Sequence, residues 1–308
     1  MMFEEIKAKY QAGKINKWEY IDEMYKVHDV LFEYGQLINA TNISRIEIID
    51  NEVLMTFRDS GVKFICIQGD KRLAPFDTLN FGSYEIDELT TQQKLIGERD
   101  VIFDIGANLG WYALHMAKEF PKASVHSFEP FANTFDYLNK NISLNHLSNI
   151  VTYNLGFSDT AGMHNFYVDP KLSVNASLVN VAETASVNEV ACLFETMDSF
   201  CEANNKFPDF IKCDVEGAEL LVFRGGQKTL QNRLPIVFTE MLRKWTAKFN
   251  YHPNDIIELF VSYGYQCFTM GDEGLRMIGK IDEHTIETNF VFLHAEKHAD
   301  KINLFLHK

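Results

Sequence analysis

The sequence predicts an α/β fold: a mostly parallel sheet with helices on its faces, preceded by an N-terminal extension of helices and a small β-meander. Three observations predict it. From Val101 onward, short apolar runs alternate with helical periods, the rhythm of βαβ units. Two of those runs, "VIFDIG" and "VHSFEPF", end in acidic residues, Asp104 and Glu129, about 25 residues apart. Before residue 97 the pattern is instead a helical stretch followed by short alternating strands.

Composition frames the elements. The chain has 308 residues, 46% hydrophobic and 23% charged, an ordinary globular balance. It divides into an extension, 1–97, and a catalytic domain, 98–308. A net charge of -14 with no Lys/Arg run argues against nucleic acid as a partner. The five cysteines are odd in number and form no CxxC pair, which reads as free thiols in a reducing, cytoplasmic setting. "MMFEEIKAKY" lacks the apolar stretch of a signal peptide, and nothing approaches the roughly 18 apolar residues of a membrane span, so no stable membrane insertion is expected.

In chain order, Phe3 to Leu37 reads as one or two amphipathic helices, with Ile6, Tyr10, Ile21, Tyr25 and Leu31 at helical spacings. They form a packing extension or one that pairs two chains into a homodimer. "SRIEIID", "EVLMTFRD" and "VKFICIQ", punctuated by "DN" and "DSG", read as a β-meander. "NFGSYEIDELTTQQKLIG" is a loop leading into a helix. Seven core strands follow: Val101 to Ile105, Ser124 to Phe128, Ile150 to Asn154, Phe210 to Cys213, Ile236 to Thr239, Gln266 to Thr269 and Phe290 to His294. Helices fall at Trp111 to Glu119, Ala132 to Asn145, Glu216 to Leu230 and Pro253 to Tyr263. From Met163 to Val190 the rhythm breaks, and "HNFYVD" and "SLVNVAE" read as an inserted β-ribbon over a site or on an edge.

In an open parallel sheet, ligands bind beyond the carboxyl ends of the strands. Asp104 ends the first strand there, and Gly106 and Gly110 allow a tight turn and close backbone approach to a ligand. The spacing is Gly-Ala-Asn-Leu-Gly, not the G-x-G-x-x-G that cradles a pyrophosphate. Glu129 is placed for both hydroxyls of a ribose. A nucleoside with a cationic tail in place of a diphosphate fits both features, and S-adenosylmethionine matches that description.

The blocks "FDIGANLGWYALHMA", "FEPF" with "YLNKNISLN", "YNLGFSDTAG", "DFIKCDVEGAELLVFRGG" and "PIVFTEM", in order, resemble those of the FkbM-type methyltransferases. The resemblance runs from about Leu79, with "LNFGSYEIDE", to Leu293. It implies a class I methyltransferase (Rossmann-like) fold with a seven-stranded sheet, S-adenosyl-L-methionine as donor, and O-methylation of a sugar, glycan or natural-product hydroxyl. Position by position it implies Asp104, Gly106, Ala107, Asn108 and Gly110 around the methionine end of the cofactor. Glu129 would hold the ribose, Pro130 would shape the turn after it, Ser158 and Asp159 would contact the adenine amino group, and Tyr84 and Glu85 would close over the methionyl end.

Methyl transfer to a hydroxyl needs alignment of the reacting atoms and a base for the departing proton. Asp214 and Glu216 in "KCDVEGAEL" are favoured for the base, with Glu240 in "VFTEM" third; Asp214 also faces the cofactor, and Glu219 reads as helix dressing. A divalent metal held by the same carboxylates is the rival account of that proton's loss. No histidine pair forms a ligand set: His294 and His298 read as solvated, His115 as packed or surface, and no metal ligand is assigned. Trp111 and Tyr112 read equally as acceptor-pocket wall or core. A nicotinamide-dependent oxidoreductase using Glu129, or a non-catalytic scaffold, are the alternatives. The missing central glycine weighs against the first and the intact loop against the second.

Overall fold

A computed structural model describes residues 2–168, 176–180, 187–271 and 274–306. The extension begins with α1 (Met2–Gln11) and α2 (Lys17–Asn39), the latter started by a capping box in which Asn16 and Glu19 satisfy each other's backbone amides. β1 (Ile43–Ile49), β2 (Glu52–Phe57) and β3 (Lys63–Cys66) form the expected antiparallel meander. Asp50 and Asn51 turn the first hairpin with φ of 49° and 68°, the left-handed pair a two-residue type I′ turn requires. Two helices follow, α3 (Ala74–Phe81) and α4 (Ile86–Leu95). Most of the first lies in 69–79, to which the sequence pattern assigns no element, and its start is set by Pro75 in the first turn.

The main sheet collects β4 (Val101–Ile105), β5 (Ser124–Phe128), β6 (Ile150–Tyr153), β10 (Phe210–Cys213), β11 (Ile236–Glu240), β12 (Tyr265–Gly271), β13 (Gly274–Met277) and β14 (Asn289–His294). Its order is β13-β12-β14-β11-β10-β4-β5-β6. The run β11-β10-β4-β5-β6 is parallel, and β14 lies antiparallel between β11 and β12. This is the class I methyltransferase arrangement, with all seven expected strands and an eighth, β13, added at the edge. α5 (Trp111–Glu119), α6 (Ala132–Leu144), α7 (Met197–Asn204), α8 (Glu219–Arg224), α9 (Gln227–Arg233), α10 (Arg243–Thr246), α11 (Pro253–Ser262) and α12 (Ala299–Leu306) connect or flank the strands.

Alternation along the strands builds one apolar layer on each face, since successive side chains point to opposite sides. Ile102, Val125, Phe210 and Phe238 pack with α5 and the meander, whereas Phe103, Phe128, Ile211 and Val237 face α8 and α11. The meander's Phe57 and Phe64 therefore share a core with the sheet.

Three expectations change. The helix read over Glu216 to Leu230 begins only at Glu219, because Glu216 and Gly217 have φ of 54° and 99° and cannot be helical, and it is divided into α8 and α9. The break between them is fixed by packing: a Cβ on Gly225 would stand 2.1 Å from the Ser158 carbonyl oxygen. Asp198 then caps α9 by accepting from the Lys228 and Thr229 amides. The inserted ribbon exists, as β7 (Gly156–Phe157), β8 (Gly162–Val168) and β9 (Asn188–Glu195) in the order β7-β9-β8. The partner of "HNFYVD" is thus β9; of "SLVNVAE", Ser177 makes a single bridge to Tyr167, and 181–183 lie outside the described residues. Finally, His298 is buried, not solvated. Its Nδ1 accepts the His294 amide ahead of α12, and burial pushes the ring down to about 4, keeping it a neutral acceptor.

Candidate active site

The loop from β4 to α5 is folded back on its neighbours. The Gly106 and Ala107 amides both donate to the Phe128 carbonyl at the end of β5, each at 3.0 Å. Gly106 has φ 74°, and a Cβ there would lie 2.0 Å from the Asp214 carbonyl oxygen. Gly110 has φ 97°, and its Cβ would lie 2.7 Å from Leu138. Both glycines are therefore demanded by the turn and by protein packing, and Gly106, unlike Gly110, lines the cavity beside them.

That cavity, about 340 Å³, opens beyond the carboxyl ends of β4, β5, β10 and β11. Gly106, Ala107 and Asn108 form one wall, with Glu129 and Pro130 beside them. Asp214, Glu216 and Glu240 face it from the next strands, and Tyr84 and Glu85 from the segment before α4. Most of the residues read from the sequence thus converge. Glu129 is almost wholly buried, with one carboxylate oxygen accepting the Asn108 amide and the other the Phe131 amide, both at 3.0 Å. Burial still outweighs those donors and pushes its carboxyl up to about 7. Glu85, in left-handed backbone with φ 42°, accepts the Tyr112 hydroxyl at 2.7 Å; burial raises its carboxyl and that hydrogen bond opposes the rise.

Four expected residues lie elsewhere. Asp104 is fully buried beneath the floor, not in the lining. Gly110 sits behind the helix start, and Ser158 and Asp159 lie beyond Gly156 and Phe157, which do line the cavity. Ser158 donates to its neighbour Asp159 at 3.4 Å.

Lys212 is the residue the sequence reading missed. It is 3% exposed in the middle of β10, and its ammonium donates to the Gly106 carbonyl at 3.0 Å. Asp104 and Asp214 lie 3.5 and 3.6 Å from it, and the Tyr112 ring 5.3 Å. Burial works against its charge, but the two carboxylates overcome that and hold the ammonium above its ordinary range. Its signal was in the sequence, a lone lysine inside the apolar strand "FIKC".

Glu219 is not helix dressing. Buried at the start of α8, its carboxylate accepts the Val215 and Gly217 amides and the Tyr251 hydroxyl, and so shapes the loop presenting Asp214 and Glu216. Burial pushes it up to about 7 against those amides. Glu240 is displaced further, to about 10, by burial and then by the negative charges of Asp214, Glu216, Glu219 and Glu85. Trp111 and Tyr112 belong to the core and also line the cavity. His115 is packed, its Nδ1 2.7 Å from the Trp111 carbonyl. The inserted ribbon lies over the site, bringing Phe166, Leu178 and Phe194 to the lining. Among the described residues, no three His, Cys, Asp or Glu side chains are grouped to hold a metal ion, and no helix is long and apolar enough to cross a membrane.

A family model of the methyltransferase FkbM domain matches residues 104–267, just over half of the chain. The chain belongs to the FkbM methyltransferase family. A methyltransferase of Sordaria araneosa, sdnD, is 33% identical over 116 residues, covering 37% of this chain and 43% of that protein. The hexuronic acid methyltransferase AglP of Haloferax volcanii is 29% identical over 136 residues, covering 44% and 53%. The chain spans about half the length of the curated relatives it matches. A crystal structure of an FkbM methyltransferase from Methylobacillus flagellatus aligns with a TM-score of 0.42 and 15% identity, over 64% of this chain and 44% of that one. For this FkbM methyltransferase the matched segment carries the loop after β4, Glu129, Lys212, Asp214 and Glu240.

Proposed function

We propose that this chain is an S-adenosylmethionine-dependent O-methyltransferase acting on a hydroxyl of a sugar, glycan or natural-product acceptor. The observation that carries the reading is the excess of carboxyl groups in the cavity: Glu85, Glu129, Asp214, Glu216 and Glu240 line it against Lys212, Arg72 and Lys244. An acidic pocket suits a ligand bearing a sulfonium and an ammonium. Its size falls in the range of about 300–1,000 Å³ usual for small-molecule sites. Glu129, pinned by two amides, keeps lone pairs for a vicinal diol, and Phe157, Phe166 and Phe194 offer apolar surface for a flat base. Asp214 and Glu85 would hold the cationic end. The cofactor would supply an activated methyl group when bound.

The chain's own residues supply alignment and the proton acceptor. Asp214 lies against the Lys212 ammonium, 3.6 Å away. Glu240 has the opposite surroundings: burial and the carboxylates around it hold it protonated at neutral pH, so the hydroxyl proton is left to Asp214 or Glu216. Trp245 and Lys244, on α10, line the same cavity and offer an aromatic face and a cation to an acceptor ring. AglP is named for a hexuronic acid, and a sugar-acid hydroxyl is the acceptor class this reading tests first. Incubation with methyl-labelled S-adenosylmethionine and a panel of sugars, sugar acids and polyketide alcohols should label an oxygen-linked methyl. Calorimetric binding of NADH without S-adenosylmethionine binding would overturn the assignment.

A further inference from the structure

The α1–α2 hairpin is folded but almost uncovered. α2 buries no residue, and Ile6 of α1 is the only buried side chain of the pair among the described residues. On α2, Trp18 is 72% exposed, Phe32 70%, Leu31 63% and Tyr25 56%. Helices in proteins owe most of their stability to packing an apolar face. Trp18, Ile21, Tyr25 and Phe32 recur at the +3, +4 and +7 steps of a helix–helix seam. Ile38, at the end of α2, packs against the main core, but the Trp18–Phe32 face meets little else among the described residues.

We propose that this face is the interface of a two-fold dimer in which the hairpins of two copies pack as a four-helix bundle. Area favours a second copy. With large apolar side chains contributing about 150–250 Å² each, the exposed parts of Trp18, Ile21, Tyr25 and Phe32, which share one face of α2, alone amount to roughly 500 Å². Leu31, exposed at the edge of that face, carries the patch toward the ~800 Å² per partner of a stable interface. Charge disfavours a membrane: α2 bears Glu19, Asp22, Glu23, Asp29 and Glu33 against Lys17 and Lys26, whereas a helix lying on anionic lipid has a basic polar face. An isologous contact uses one patch twice and closes on itself, as a single uncovered hairpin requires.

Sedimentation velocity of the full chain at micromolar concentration tests this. The wild-type protein is expected to run as a dimer. The double variant Trp18→Glu/Phe32→Glu, altered only at exposed positions, is expected to run as a monomer, its dimer dissociation constant raised roughly a hundredfold or more as for two interface anchors. Its circular dichroism and melting curve should stay those of a folded protein. A monomeric wild type overturns the proposal whatever else binds the face, and a double variant that remains dimeric places the contact on another surface and overturns it too.

Discussion

Replacing Glu240 by glutamine tests the acidic cavity where it is most strained. In the fold this carboxyl is pushed from 4.5 to about 10, by burial and then by Asp214, Glu216, Glu219 and Glu85. The sign follows directly. Above pH 4.5 the unfolded chain ionises this group and the folded one does not, so unfolding releases a proton and each further pH unit costs about 1.4 kcal/mol of stability. At pH 7 the cost reaches about 3 kcal/mol at most, and it continues to grow toward pH 10. Glutamine keeps the shape and carries no charge to bury. Melting curves of wild type and Glu240→Gln should coincide near pH 4 and separate steadily above it, the variant melting roughly 5–10 °C higher at pH 7. Labelled-methyl turnover at pH 7 should stay within a few-fold of wild type, because the carboxyl being replaced is already uncharged there. Melting curves with the same pH slope would refute the electrostatic account, and a tenfold loss of turnover would show that Glu240 works as an anion.

Lys212→Met should lower stability by about 3–5 kcal/mol at neutral pH, because Asp104 would be left charged and unpartnered inside the protein. Adding Asp104→Asn should recover part of that loss, and urea unfolding of the two variants measures it. Glu129→Ala should weaken S-adenosylmethionine binding at least tenfold by calorimetry, since it removes the diol acceptor and frees the Asn108 and Phe131 amides. Gly106→Ala should yield little folded protein, its Cβ falling 2.0 Å from the Asp214 carbonyl oxygen, whereas Gly279→Ala, with nothing within 4 Å, should melt like wild type.

The parallel sheet was legible because period-2 apolar runs such as "VIFDI" and "FIKC" alternate with helical periods, and strand ends locate a ligand edge without further information. Elements governed by distant contacts were not. The break at Gly225–Gly226 depends on Ser158 and Met197 packing against it. His298 looks polar and terminal, yet it is buried in the turn between β14 and α12, where its ring accepts the His294 amide and α12 folds back on β13. The β-ribbon is readable as a ribbon, but its pairing to β9 is a register that no local pattern encodes.

The same limit explains the exchange between Asp104 and Lys212. Asp104 was expected to touch the cofactor because it stands near a strand end, and Lys212 was passed over because it stands one strand away and inside an apolar run. In the sheet the two are register partners across β4 and β10. Each would be costly to bury alone. Together they bring a positive charge under Gly106 and beside Asp214, holding the loop carbonyl and the rim carboxylate from below. Asp104 is therefore a counter-ion, and the group its strand contributes to the cavity is the loop backbone that follows. Exchanging the pair, Asp104→Lys with Lys212→Asp, would keep the internal charge balanced. It would also remove the ammonium from the Gly106 carbonyl and set a carboxylate near Asp214, so such a protein should fold more stably than Lys212→Met yet bind S-adenosylmethionine more weakly than wild type. Equal binding would mean that the cation serves stability alone.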